Sequence, residues 1–136
     1  MDIDGLGDLI RADDLEWVDL PGGNSVKVLR VSEETGSWTA LHKAKAGTVN
    51  PRHYHLGAGE FYMLSGSMEY RGGMAYPGDW LYEPNGSYHE STSHPEDSMY
   101  LATVHGGIAL VDDDDNIIRI NDWRMMKELQ AQCLKK

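Results

Sequence analysis

The sequence predicts an all-β sandwich or barrel, and three observations lead there. Short runs with apolar alternation recur along the chain, among them Val26 to Val31, Trp38 to Ala46 and Ile117 to Ile120. Turn signals such as Pro21-Gly22-Gly23-Asn24, Glu34-Thr35-Gly36-Ser37 and Gly72-Gly73 separate them, at the ~8–12-residue spacing of sandwiches and barrels. Helical spacing occurs only in the tail, where Trp123, Met126, Leu129 and Cys133 fall on one face behind Asp122, a residue suited to capping a helix.

In chain order, the first dozen residues are acidic and without pattern, which predicts a loosely packed arm. Leu15 to Leu20 reads as a first short strand, followed by strands at Val26 to Val31 and Trp38 to Ala46. Gly47 and Pro51 bracket the approach to His53-Tyr54-His55. After Gly66 come extended pieces at Ser67 to Arg71 and Trp80 to Glu83, joined across Gly72-Gly73 and Pro77-Gly78. The polar stretch Ser91 to Asp97 reads as a loop, with strands following at Met99 to His105 and Ile108 to Val111. Asp112-Asp113-Asp114-Asp115-Asn116 reads as a charged turn into Ile117 to Ile120, because it lacks the alternating ligands, central glycine and distal glutamate of a calcium loop. One domain over residues 1–136 is expected, with a core over about 15–121 and a helix over about 122–134.

Composition narrows the partners. With 22 acidic and 12 basic residues among 136, the chain lacks the positive field that a phosphate backbone requires, so no nucleic acid is expected. No run of about 18 apolar residues and no secretory leader is visible, which predicts a cytoplasmic protein with no membrane partner. The single cysteine, Cys133, fits a reducing compartment and reads as a small residue on the terminal helix.

The chemistry centres on His53 and His55. In a strand, residues two apart project from one face about 7 Å apart, within reach of a common metal ion at ~2.0–2.1 Å from each imidazole. A third ligand must come from elsewhere, and His89, at the end of Gly78 to His89, is the best placed. His42 reads as a core or rim histidine in phase with Trp38 and Ala40. His105 reads as structural, at a strand end, and His94, beside Pro95 in a polar loop, as solvent-exposed.

These two stretches resemble the paired motifs of the cupin superfamily, small jelly-roll barrels (double-stranded β-helices) that hold a metal. The first motif is a glycine, five residues, H-x-H, a glutamate three or four residues on, then six residues and a glycine. The second is a glycine, five residues, P-x-G, two residues and a histidine, then an asparagine. Gly47, His53, His55, Gly78, Pro84, Gly86 and His89 fall on pattern, and Glu60 stands four residues after His55. Two departures stand out. Five residues rather than six separate Glu60 from Gly66, so counting back from the glycine puts Gly59 at the carboxylate position. A slip of one residue turns a strand side chain to the other face, and Phe61 and Met63 share the phase of Gly59. Glu60 is therefore a fourth candidate ligand in one register and an outward residue in the other. Ser93 replaces the pattern's asparagine, which is not a ligand.

Within the superfamily, Gly36 to Thr39, Gly59 to Gly66 and Tyr82 to Gly86 are similar to the branch holding acetylacetone-cleaving dioxygenases, 2,4'-dihydroxyacetophenone dioxygenases and the cupin domain of ChrR-type anti-sigma factors. That resemblance implies a metal-dependent cupin. The reading it favours is a non-haem Fe(II) dioxygenase cleaving a C–C bond in a small β-dicarbonyl or hydroxyketone, with O2 as co-substrate. It also implies one divalent metal per chain, iron before zinc, nickel, manganese or copper, and a homodimer; the apolar face of the terminal helix would pack on the sandwich or on a second subunit. Three-histidine ligation without the glutamate occurs in this branch. Glu83 matches an acidic residue near the metal, either orienting a ligand or touching substrate, and Phe61, Met63, Trp80 and Tyr82 would line the pocket. The alternatives are a non-catalytic zinc sensor and a cupin isomerase or hydrolase, since one fold hosts many chemistries.

Overall fold

The computed structural model describes residues 8–89 and 91–134, except for the side chain of His89. Most of the N-terminal arm expected from the sequence lies outside the described residues. A turn of 3-10 helix at Ala12–Asp14 precedes β1 (Val18–Asp19), β2 (Asn24–Val31) and β3 (Trp38–Ala44). Then follow β4 (Val49–Asn50), β5 (His53–His55), β6 (Gly59–Ser65), β7 (Met68–Tyr70), β8 (Gly73–Ala75), β9 (Trp80–Glu83), β10 (Tyr88–His89), β11 (Thr92–Ser93) and β12 (Ser98–Val104). The chain closes with β13 (Ile108–Val111), β14 (Ile117–Asn121) and the helix α1 (Trp123–Cys133).

The strands form a six-stranded sheet in the order β1-β2-β3-β12-β6-β9 and two four-stranded sheets, β10-β5-β13-β14 and β4-β11-β7-β8. After β3 the chain alternates: two short strands in the small sheets, then one strand in the large sheet, through β12. This back-and-forth passage between facing layers is the jelly-roll that the cupin resemblance implied, and it meets the all-β sandwich or barrel predicted from the short alternating runs and their turns. It brings the two histidine stretches together, because β5 and β10 pair with His53 opposite His89 and Tyr54 opposite Tyr88.

Between the layers lies a cavity of about 210 Å³, walled by residues such as Val26, Trp38 and Phe61 from the large sheet and His55, Met68 and Tyr70 from the small sheets. The helix α1 closes one end through Met125, Met126 and Leu129. Asp122 caps it, accepting a hydrogen bond from the Arg124 amide at 2.9 Å. The buried stripe of Met126, Leu129 and Cys133 packs on Val26, Val28, Trp38 and Val104. The Cys133 thiol lies against β2, 3.5 Å from the Val28 amide and 3.7 Å from the Val26 carbonyl oxygen. Of the two expected uses of this apolar face, the sandwich takes it rather than a second subunit.

Candidate metal centre and cavity

Three anchors fix β5. Arg52 donates to the Asp112 carbonyl at 2.8 Å and pairs with Asp115 at 2.9 Å, tying the strand to the β13–β14 turn. That turn is ordered by the Asp112 carboxylate, which accepts from the Asp114 and Asn116 amides at 2.9 Å each. These bonds, led by the one from Asn116, hold the Asp112 pKa below the usual carboxylate value. On either side of β5, the ladders with β10 and β13 complete the anchoring.

Against this support His53 and His55 converge. Their Nε2 atoms are 3.2 Å apart, and His55 is fully buried. Nitrogens that share an ion at ~2.0–2.1 Å each must lie within ~4.2 Å of one another, so the pair fits a common metal. His53 Nδ1 lies 2.9 Å from the Pro51 carbonyl oxygen. A carbonyl oxygen only accepts, so Nδ1 carries the proton and Nε2 keeps its lone pair, the arrangement that prepares an imidazole for a metal. Among the described residues no group of three or more His, Cys, Asp or Glu side chains comes together to hold a metal. The side chain of His89, the third candidate, lies outside that description.

Glu60 sits on the other side of the sheet. Its carboxylate meets His105 Nε2 at 2.9 Å, with both side chains about two-fifths exposed, and His105 Nδ1 in turn meets the Ser37 hydroxyl at 3.1 Å. The inward position belongs to Gly59, where a Cβ would lie 3.0 Å from the Phe61 ring and 3.1 Å from Cε1 of His55. Gly66 sets this register. It has φ +74, and a Cβ there would come within 2.3 Å of the Asp97 carbonyl oxygen.

The expected pocket wall needs three corrections. Phe61 lines the cavity with its ring centroid 6.2 Å from that of His55. Met63 is fully buried but belongs to a separate core cluster with Met68, Leu81 and Tyr100, and does not line the cavity. Trp80 and Tyr82 face solvent, 58% and 50% exposed, and stack on each other. Their neighbours Leu81 and Glu83 point inward instead, and the strand's alternation then turns both aromatics out.

Glu83 is inward because its charge is matched there. It is fully buried, with Arg71 3.0 Å from one carboxylate oxygen and 3.2 Å from the other. Tyr70 donates its hydroxyl to the same carboxylate. Burial, then this hydrogen bond, raises the Tyr70 pKa above its ordinary value, so the phenol stays protonated as the donor. No pattern in the sequence pointed to Tyr70 or Arg71; Arg71 takes φ +47, an uncommon value for an arginine. Tyr70 lines the cavity; Glu83 stands behind it.

His94 reverses its expectation as well. It is fully buried, with Nδ1 3.1 Å from the Ser67 carbonyl oxygen and Nε2 3.2 Å from the Asn50 amide nitrogen. Both ring nitrogens are used by a neutral ring, and burial lowers its pKa. His42 lines the cavity and stacks on Tyr100 at 4.9 Å; burial, and then nearby His94, bring its pKa down to about 4.

Residues 7–109 match the sequence profile of the family described as the ChrR cupin-like domain. The chain is 32% identical over 125 residues to the acetylacetone-cleaving enzyme of Acinetobacter johnsonii, covering 84% of this chain and 82% of that protein. Its fold matches the crystal structure of an acetylacetone dioxygenase from the same organism, with TM-score 0.83 and 28% identity over 98% of this chain and 95% of the other. A protein from Methylibium petroleiphilum, described as a candidate acetylacetone dioxygenase, matches with TM-score 0.88 and 28% identity over 96% and 99%.

Proposed function

The chain belongs to the ChrR cupin-like domain family, and on that premise we propose that it is a metal-dependent dioxygenase cleaving a C–C bond in a small β-dicarbonyl or hydroxyketone. The observation that carries the reading is the 3.2 Å approach of His53 Nε2 to His55 Nε2 beside an apolar cavity. His89 would be the third ligand, since its backbone pairs directly with that of His53 and positions opposed in an antiparallel ladder share a face. Glu60 is left out of the set, being engaged with His105. Fe(II) held by neutral imidazoles would supply Lewis acidity toward a chelating diketonate and the one-electron steps that O2 requires.

The remaining work falls to the chain itself. The Pro51 carbonyl keeps the His53 proton on Nδ1, and Phe61 provides a flat apolar wall beside the histidine pair. Tyr70 lines the cavity with its hydroxyl held by Glu83, and Arg71 pairs with the same carboxylate. We assign Glu83 and Arg71 as positioning residues that act through Tyr70. Relatives with the acetylacetone-cleaving activity favour a β-diketone, which with O2 gives a carboxylic acid and a second carbonyl fragment.

The test is metal content by elemental analysis of wild type beside His89→Ala and Glu60→Gln, followed by oxygen uptake of the iron-loaded protein with β-diketones and hydroxyacetophenones. Near-stoichiometric metal lost in His89→Ala, kept in Glu60→Gln, and oxygen consumed with at least one compound are the expected results. Metal retained in His89→Ala would remove the third ligand. Stoichiometric zinc with no oxygen uptake after iron loading would replace the dioxygenase with a sensor.

A further inference from the structure

Away from the histidine pair, the cavity carries a second polar cluster that the proposed chemistry leaves unused. Asn24, His42 and Tyr100 all line it, from β2, β3 and β12, which are adjacent in the large sheet. His42 pairs directly with Tyr100 across one ladder and with Val26 across the other, two residues from Asn24. Their side chains therefore neighbour one another on one inner face.

Each of the three has hydrogen-bonding capacity left over. The Asn24 carboxamide nitrogen donates to Asn50 at 3.2 Å, which turns its oxygen the other way, and that oxygen is buried with no partner among the described residues. Asn50 is itself held by Thr92 at 3.1 Å and by His94 at 3.2 Å, so it cannot turn to relieve its neighbour. Neither ring nitrogen of His42 nor the hydroxyl of Tyr100 has a hydrogen bond to another described residue, and both side chains meet the cavity through rings that stack on each other. Buried polar groups are ordinarily satisfied, so the buried, unpaired Asn24 oxygen, beside an imidazole and a phenol that line the same cavity wall with bonding capacity to spare, calls for a ligand.

The chemistry of that ligand follows from the donor set. Among the described residues no Lys, Arg, Asp or Glu lines the cavity, so an anion or cation at this end would enter with no counter-charge from them. His42, with its pKa brought down to about 4, offers one donor and one acceptor. Tyr100 and His42 can donate, while Asn24 Oδ1 only accepts. A carbonyl would leave the Asn24 oxygen unmatched; a hydroxyl, which gives and takes, answers all of them. Phe61 connects the two ends, its centroid 6.2 Å from His55 and 6.3 Å from Tyr100, so an apolar middle would lie between them.

We propose that Asn24, His42 and Tyr100 form a hydrogen-bonding subsite for a neutral hydroxyl group on the substrate, separated by an apolar segment from the end that meets His53 and His55. This rests on reading the cavity as the substrate site, and it narrows the substrate class to hydroxylated diketones or ketones.

Calorimetric titration of the metal-loaded protein under anaerobic conditions tests it, with 1-phenylbutane-1,3-dione and its 4-hydroxyphenyl counterpart as the matched probes. Wild type should bind the hydroxylated compound at least about tenfold more tightly, because a site built to bond a hydroxyl rejects the analogue lacking it. In Tyr100→Phe, which keeps the ring on which His42 and His94 stack, and separately in His42→Phe, the preference should fall below about threefold. Equal affinities in wild type, a preference untouched in both variants, or no binding of either compound would overturn the subsite. Because binding is read without O2, the two proposals fail separately. A preserved preference with no oxygen uptake sinks the dioxygenase and leaves the subsite, and brisk uptake with no preference does the reverse.

Discussion

At the scale of single residues, Gly59 and Arg71 decide what faces the cavity. A methyl group at 59 has no room, so Gly59→Ala should push Phe61 and His55 apart, destabilise the protein by about 1–3 kcal/mol and lower its affinity for metal. Urea unfolding together with a metal titration checks this, and wild-type values in both would show that the Phe61 ring yields freely. Arg71→Met leaves Glu83 buried without its cation. We expect a loss of about 3 kcal/mol, largely recovered in the Arg71→Met, Glu83→Leu double variant, since an unpaired buried charge costs more than the pair contributes. Equal losses in the single and double variants would remove the pairing argument. For Glu60 the sequence left two registers open, ligand or outward residue, because five residues rather than six separate it from Gly66; the structure turns it outward to His105. The outward turn of Trp80 and Tyr82 was not legible. In Trp-Leu-Tyr-Glu, burying the aromatics and exposing the carboxylate is the cheaper choice, and the arginine that reverses it sits twelve residues before Glu83, on a turn whose direction no local pattern records. His94 was missed for a similar reason: its partners Ser67 and Asn50 are 27 and 44 residues away.

At the scale of elements, α1 shuts one end of the cavity and is attached by few residues. Leu129 is 8% exposed and touches both the core and the cavity, so Leu129→Ala should cost about 2–5 kcal/mol and also weaken diketone binding by opening that end. A change in stability alone, with ligand affinity intact, would mean that the helix does not form part of the cavity wall. The helix was readable from Asp122 and the four apolar positions that follow at helical spacing, Trp123, Met126, Leu129 and Cys133, and so were its apolar face and start. Its covering role was not, since periodicity says which side is apolar and not what that side meets. Two-residue strands such as β4 and β11 also escaped the sequence, being too short to carry an alternation.

At the scale of the whole molecule, the jelly-roll was legible because its chemistry and its turns are tied to fixed spacings: the histidines fall on strands and Gly47, Gly66, Gly78 and Gly86 on positive-φ positions between them. Burying neutral histidines between the layers gives the fold a pH response. His42 takes a proton near the ordinary pH 6.5 when unfolded but only near pH 4 when folded. The unfolded chain therefore binds more protons between those values, and stability present above pH 6.5 is lost as the pH falls toward 4. Wild type should lose about 3 kcal/mol more than His42→Phe over this window, measured as urea unfolding at a series of pH values; parallel profiles would refute it. Cys133 has a further use. It is the chain's single thiol, wholly buried between α1 and the β2 backbone, so a maleimide can reach it only when that contact parts. The alkylation rate thus acts as a clock on helix undocking, separating rare openings of the cavity end from global unfolding, and slower alkylation in the presence of a diketone would show that ligand and helix close the cavity together.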